Sequence, residues 1–204
     1  MISGIFKQHF SHFVLLFSCT NVLSQSEIGL VGGLNHSSIA IDHQSENATL
    51  INRNGIIIGI SCNYNLSEQV YISGQLRYIE TGQDVKWSQF IFDYSELQIN
   101  YLQLPIHFNY RFQIKNLKPK LICGPYIGYL LNATGRVKVK DKIVDESEYE
   151  GLKDFDFGID IGAGVDINIS NNYNLFIDVY YSHGRPGGTK EEIYRNKCHE
   201  RKKS

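Results

Sequence analysis

The sequence predicts an all-β protein, an antiparallel up-and-down membrane β-barrel of the eight-stranded type with seven strands legible and the eighth missing or degraded. Three observations predict it. Segments of about 10 to 13 residues alternate apolar and polar side chains, as strands with one oily and one wet face do. The connections between those segments run long, short, long, short along the chain. No run of about 18 apolar residues occurs, so a spanning helix is not expected, while a barrel remains open because its strands are only half apolar.

Composition does not decide the matter. A chain of 204 residues suits one domain, and 42% hydrophobic residues with a mean hydropathy of -0.24 fit a soluble protein equally well. The pattern carries the argument. From Tyr101 to Phe112 the even positions (Leu102, Leu104, Ile106, Phe108, Tyr110, Phe112) are apolar, and the odd ones include Gln103, His107, Asn109 and Arg111. A helix would place apolar residues three and four apart. At about 3.3 Å per residue this stretch spans roughly 40 Å, enough to cross a bilayer at a tilt.

The other elements follow in order. Residues 1–24 read as an export signal: Lys7 supplies charge, Phe10 to Thr20 is apolar, and Val22-Leu23-Ser24 fits cleavage before Gln25. Glu27 to Asn35 alternates through Ile28, Leu30 and Leu34, and a long polar connection, His36 to Asn54, comes next. Gly55 to Leu66 and Gln69 to Thr81 form two strands with a two-residue link. Gly82 to Ser95, with the sole tryptophan Trp87, is the second long connection before the Tyr101 strand. Pro119 to Leu131 is less cleanly patterned, and Ala133 to Lys153 is a third long, charged connection. Between Asp154 and Ile167 the alternation is sharpest, Phe155, Phe157, Ile159 and Ile161 against Asp156, Gly158, Asp160 and Gly162. Tyr173 to Ser182 is the seventh strand.

The expected organisation is a signal peptide over 1–24, a barrel domain over 25–182 and an atypical charged tail over 183–204 from a truncated or frame-shifted copy. Thr189 to Lys197 is the alternative, as a poor closing strand. Tyr64, Tyr78, Tyr110, Phe112, Phe155 and Tyr181 lie towards strand ends on the apolar side, where aromatic girdles belong.

Charge and special residues narrow the function. The last 15 residues hold six Lys/Arg and three Glu, so the body is mildly acidic and nucleic acid is not an expected partner. Cys62 and Cys123 fall on strands that would not be neighbours, so no structural disulfide is expected, and no CxxC pair suggests zinc. Asp154 to Asp160 superficially resembles a calcium loop, but Gly158 and Val165 occupy positions that an EF-hand gives to ligands. Neither a metal nor a cofactor is expected. The polar faces instead predict a network inside the barrel, with Asp156 and Asp160 opposite Arg77 and Arg111, and His107 on the same interior.

At Tyr101-Leu102-Gln103-Leu104-Pro105, Gly124-Pro125-Tyr126-Ile127-Gly128-Tyr129-Leu130-Leu131 and Phe157 to Val165, the sequence resembles the PorT-like outer-membrane β-barrel domain of Bacteroidota. The resemblance covers about Gln25 to Ser182. It implies an eight-stranded barrel of the OmpA/OmpX architecture, and some relatives are linked to protein secretion. Family members finish on a strand with a terminal aromatic residue, which is not found after Ser182.

The expected function is therefore a non-enzymatic outer-membrane barrel, bathed in outer-membrane lipid, with a structural or interaction role and protein partners at its extracellular loops. A secreted lipocalin-like carrier would invert the two faces. An outer-membrane enzyme acting on lipid would need a nucleophile, a base and an orienting group converging at one rim, and the sequence shows no such grouping.

Overall fold

The computed structural model describes residues 7–16, 26–40, 48–87, 94–114, 117–139, 142–148, 152–170 and 173–186. They form β1 (Lys7–Leu16), β2 (Ser26–Ala40), β3 (Ala48–Asn65), β4 (Val70–Trp87), β5 (Tyr94–Arg111), β6 (Leu117–Val139), β7 (Lys142–Glu148), β8 (Phe155–Ser170) and β9 (Tyr173–Pro186). All pairings are antiparallel. Around the wall the order is β1-β2-β3-β4-β5-β6-β8-β9, and β9 pairs back onto β1, so eight strands close a ring to which β7 adds an outer strand beside β6.

Closure corrects one expectation. The eighth strand is not missing: it is β1, at the opposite end of the sequence from the charged tail. It pairs with β2 from Lys7↔Ala40 to Phe13↔Leu34 and with β9 from Gln8↔Gly184 to Leu16↔Phe176. β1 lies within the stretch read as an export signal. Lys7–Leu16 does not alternate apolar and polar residues, which is why a period of two did not single it out. β9 also runs on to Pro186, beyond Ser182, and Thr189 to Lys197 lies outside the described residues.

The two faces fall as a membrane barrel requires. Leu30, Ile58, Ile106, Phe108, Phe157 and Ile161 point outwards, with Ile58 59% and Phe157 57% exposed. Asn35, Arg77, His107, Asp160, Asp178 and Ser182 are buried inside. The carrier alternative needs the inverse and is set aside. Aromatic residues mark both rims: Tyr110 meets Phe112 edge-on at 5.0 Å near the short turns, and Tyr129 meets Phe155 at 5.4 Å near the other end. Leu121, which pairs with Tyr110, and Tyr129 are about 26 Å apart along β6 at ~3.3 Å per residue, which a barrel strand's tilt of about 40° turns into an apolar band roughly 20 Å tall.

Two local devices shape the wall. The blurred pattern of β6 comes from a register shift between Asn100↔Asn132 and Tyr101↔Leu130, which makes Leu131 an extra residue and turns Ala133 inwards. Within the barrel the Tyr126 ring lies across Gly158, where a Cβ would meet ring atoms at 2.4 Å, so a side chain there would displace the tyrosine.

The long connections were a second misreading. β3, β4 and β5 each have 18 residues and β6 has 23, so much of His36 to Asn54, Gly82 to Ser95 and Ala133 to Lys153 continues the strands. Ala48–Asn52 pairs with Gln83–Trp87, Tyr94–Glu96 with Asp84–Lys86, and Thr134–Val139 with β7. Beyond the band the wall thus becomes a protruding sheet of β3 to β7. Polar and charged residues stand on both of its faces, with Gln83 and Asp84 buried and Lys86 and Asp145 exposed, so no apolar row marks it. Where wall and protrusion meet, Gly82 takes a φ of 153° and exchanges hydrogen bonds with Ser37 Oγ.

Without β1 the facing edges of β2 and β9 lose their partners, and each unpaired backbone group in lipid costs several kcal/mol. A chain starting at Gln25 should therefore fail to give the protease-resistant, heat-modifiable band in detergent micelles that the full chain gives. Equal yields of that band would show that the ring closes without β1.

Candidate functional site

Alternation aims every second residue of each strand at the barrel axis, so polar residues from separate strands meet there. β8 sets the frame. Its Asp156, Asp160 and Asp166 face inwards at successive heights, from the protruding end towards the short turns.

The middle tier centres on Asp160. Arg77 Nη2 from β4 lies 3.0 Å from Asp160 Oδ2, His107 Nε2 from β5 lies 2.8 Å from the same oxygen, and Ser182 Oγ from β9 donates to Oδ1. Arg77, His107, Asp160 and Ser182 are all 0% exposed. Arg77 Nε also donates to Gln103 Oε1 at 3.1 Å. Three strands are thereby fixed to one carboxylate of a fourth.

Towards the short turns lies a second tier. Arg111 Nε is 2.6 Å from Asp166 Oδ2, and Lys120 Nζ is 2.7 Å from Asp166 Oδ1 and 2.9 Å from Asp178 Oδ1. The Arg111 guanidinium stands 3.9 Å over the Tyr71 ring, and Lys120 Nζ donates to Tyr71 Oη. Tyr180 Oη completes the tier with a 2.9 Å bond to Asp178 Oδ2. A cavity of about 590 Å³ opens beyond it at the rim, lined by Glu27, Arg111, Lys118, Asp166 and Asn174 among others.

Nearer the protrusion, Asp156 accepts from Tyr126 Oη at 3.2 Å. Above it a polar ladder crosses the protruding sheet: Arg53 reaches Asp84 and Gln98 at 3.1 Å, and Arg136 reaches Gln98 at 3.5 Å and Glu146 at 3.0 Å.

Of the residues expected in the lumen, Arg77, His107 and Asp160 meet in the middle tier and Arg111 joins the next one. Asp156 is buried but stands apart from the ion pairs, with the Tyr126 hydroxyl as its side-chain donor. Reasoning from sequence missed Lys120, Asp166, Asp178 and Ser182 as members. Their signal was parity: each stands on the side of its strand opposite the outward apolar row, as Asp178 does between Ile177 and Val179.

Chemically the arrangement is a brace. Ser182, His107 and Asp160 are the residue types of a hydrolase, but the serine donates to the aspartate, and all three are sealed from solvent. No group of three or more potential metal ligands occurs among the described residues. Among the described residues, the side chains of both charged tiers are buried across the bore.

Asp160→Ala would strand the Arg77 guanidinium and His107 without their carboxylate. It should cost about 3–5 kcal/mol in urea unfolding followed by Trp87 fluorescence in micelles. The double change Arg77→Met with Asp160→Leu should cost far less, because it removes both buried charges together. A single-variant cost under about 1 kcal/mol would show that the tier does not brace the wall.

Neither curated proteins nor solved structures give a match to this chain. A family model described as outer membrane protein beta-barrel domain matches residues 7–184, from the first residue of β1 to near the end of β9. With eight strands closed around a polar bore and an apolar band outside, this chain belongs to the outer membrane protein beta-barrel domain family.

Proposed function

We propose that this outer-membrane barrel is not an enzyme or a pore but a membrane-anchored platform, acting through the part that stands outside the lipid. One observation carries the reading: a sheet of five strands protrudes from a barrel whose interior holds two ion-paired tiers and a buried apolar cluster that includes Ile57, Ile79 and Ile99. A rigid plug suits an anchor and opposes diffusion. The protruding sheet offers a surface to protein partners, as loops on rigid scaffolds commonly do. Because outer-membrane barrels keep their short turns in the periplasm, this sheet faces the cell exterior.

Two finer assignments belong to the same proposal. The PorT-like resemblance, with its link to protein secretion, rests on the Tyr101–Pro105 and Gly124–Leu131 motifs. Export directed by residues 1–24 is the alternative to β1 as closing strand: it rests on Lys7 and the apolar run after it, and cleavage before Gln25 would remove β1 and open the β2–β9 seam.

A photo-reactive residue at Ser147, on intact cells, should cross-link to discrete protein partners, whereas one at Ser67 in a short turn should not. Purified protein in planar bilayers should show no steady conductance. Steady conductance, or no cross-links from any position of the protruding sheet, would contradict the reading. The N-terminus of the recovered protein reads the export boundary: Gln25 supports it, and retention of Lys7–Leu16 overturns it.

A further inference from the structure

The protruding sheet ends on β7. One side of this strand pairs with β6 between Thr134 and Val139, and among the described residues nothing pairs with the other side. An edge of this kind presents a row of backbone N–H and C=O groups ready to take another strand. Natural edges are blunted by proline, by charged side chains, lysine above all, or by a covering loop, and charge repels only strands of like sign. Lys142–Glu148 contains no proline, and its only lysine is the first residue.

What the edge carries is acid. Asp145, Glu146 and Glu148 are exposed. Glu146 is held by Arg136, while Asp145 and Glu148 make no side-chain bond or ion pair among the described residues. Their alternate spacing puts Asp145 on one face of the sheet and Glu148 on the other, so both faces of an added strand would meet a carboxylate. A second copy of β7 would set acid against acid, which cross-strand pairing disfavours. The opposite edge of the protrusion, Ala48–Asn52 of β3, has no charged side chain to select a partner.

We propose that the free edge of β7 accepts an extended, lysine- and arginine-rich segment of a partner protein outside the cell, which adds a strand to the sheet. Backbone hydrogen bonds would hold the segment, and Asp145 and Glu148 would select its charge. The proposal rests on the platform reading and names the partner chemistry.

The test uses the full chain in nanodiscs of neutral phosphatidylcholine and a short fluorescent peptide alternating lysine and valine, read by anisotropy. Saturable binding is expected. It should weaken about tenfold or more in Asp145→Lys/Glu148→Lys, a variant that leaves the Arg136–Glu146 pair in place. A glutamate-valine peptide, and a lysine-valine peptide methylated on alternate backbone nitrogens, should not bind.

No saturable binding would overturn the proposal, and so would equal binding of the methylated peptide, which would mean charge attraction without a strand. Binding that emerges only when the six Lys/Arg of the last 15 residues are changed to Gln would assign the edge to the chain's own tail. A dimer broken by Asp145→Lys/Glu148→Lys would assign it to a second copy. Either result overturns the proposal. Cross-links from Ser147 without peptide binding would leave the platform standing and remove only this edge.

Discussion

Backbone hydrogen bonding in lipid is the constraint from which the rest of this structure follows. An amide group inside the hydrocarbon has no water to turn to, so a sheet there must close on itself. Closure needs a strand between β2 and β9, and β1 fills that place against both. It also fixes the side-chain code. Once the ring is shut, alternate residues have no choice but lipid or lumen, and Ile58 and His107 are sorted accordingly.

Filling the lumen raises a second difficulty, because charges taken out of water need partners. Here the solution is shared acceptors. Asp160 serves Arg77, His107 and Ser182 together, and Lys120 joins Asp166 to Asp178. Buried ion pairs are weak sources of net stability, and their value here is geometric. A one-residue slip of β8 would turn Asp160 into lipid and Ile159 or Ile161 into the network, so the tiers specify register as well as packing. The same filling leaves the sheet of β3 to β7 as the part of the chain that extends beyond the packed wall.

How much of this the sequence reveals depends on what surrounds each segment. Tyr101 to Arg111 and Phe155 to Ile167 were legible because lipid on one side and charge on the other impose a period of two. Ala48–Asn52, Gln83–Trp87 and Thr134–Val139 were read as connections because polar and charged residues there interrupt the apolar rows of the wall strands. β1 was hidden for another reason. Its physical signature, a charge followed by an apolar run, is also that of an export signal. Within the network, Arg77, His107 and Asp160 were placed by parity alone, whereas Lys120 was obscured by its neighbours Leu121 and Ile122 and by the extra residue at Leu131 further along β6. Tyr71, Phe176 and Tyr180 show the limit of a polar-inside rule. They are aromatic yet inward, because long cations need a flat face to lie against.

The most direct test of the central claim is a nitroxide scan along β5 in proteoliposomes, measuring collision with molecular oxygen, which concentrates in lipid. The account predicts high accessibility at 102, 104, 106, 108 and 110 and low accessibility at 101, 103, 105, 107 and 109, with a period of two across the whole stretch. The opposite phase, or a period near 3.6, would contradict it.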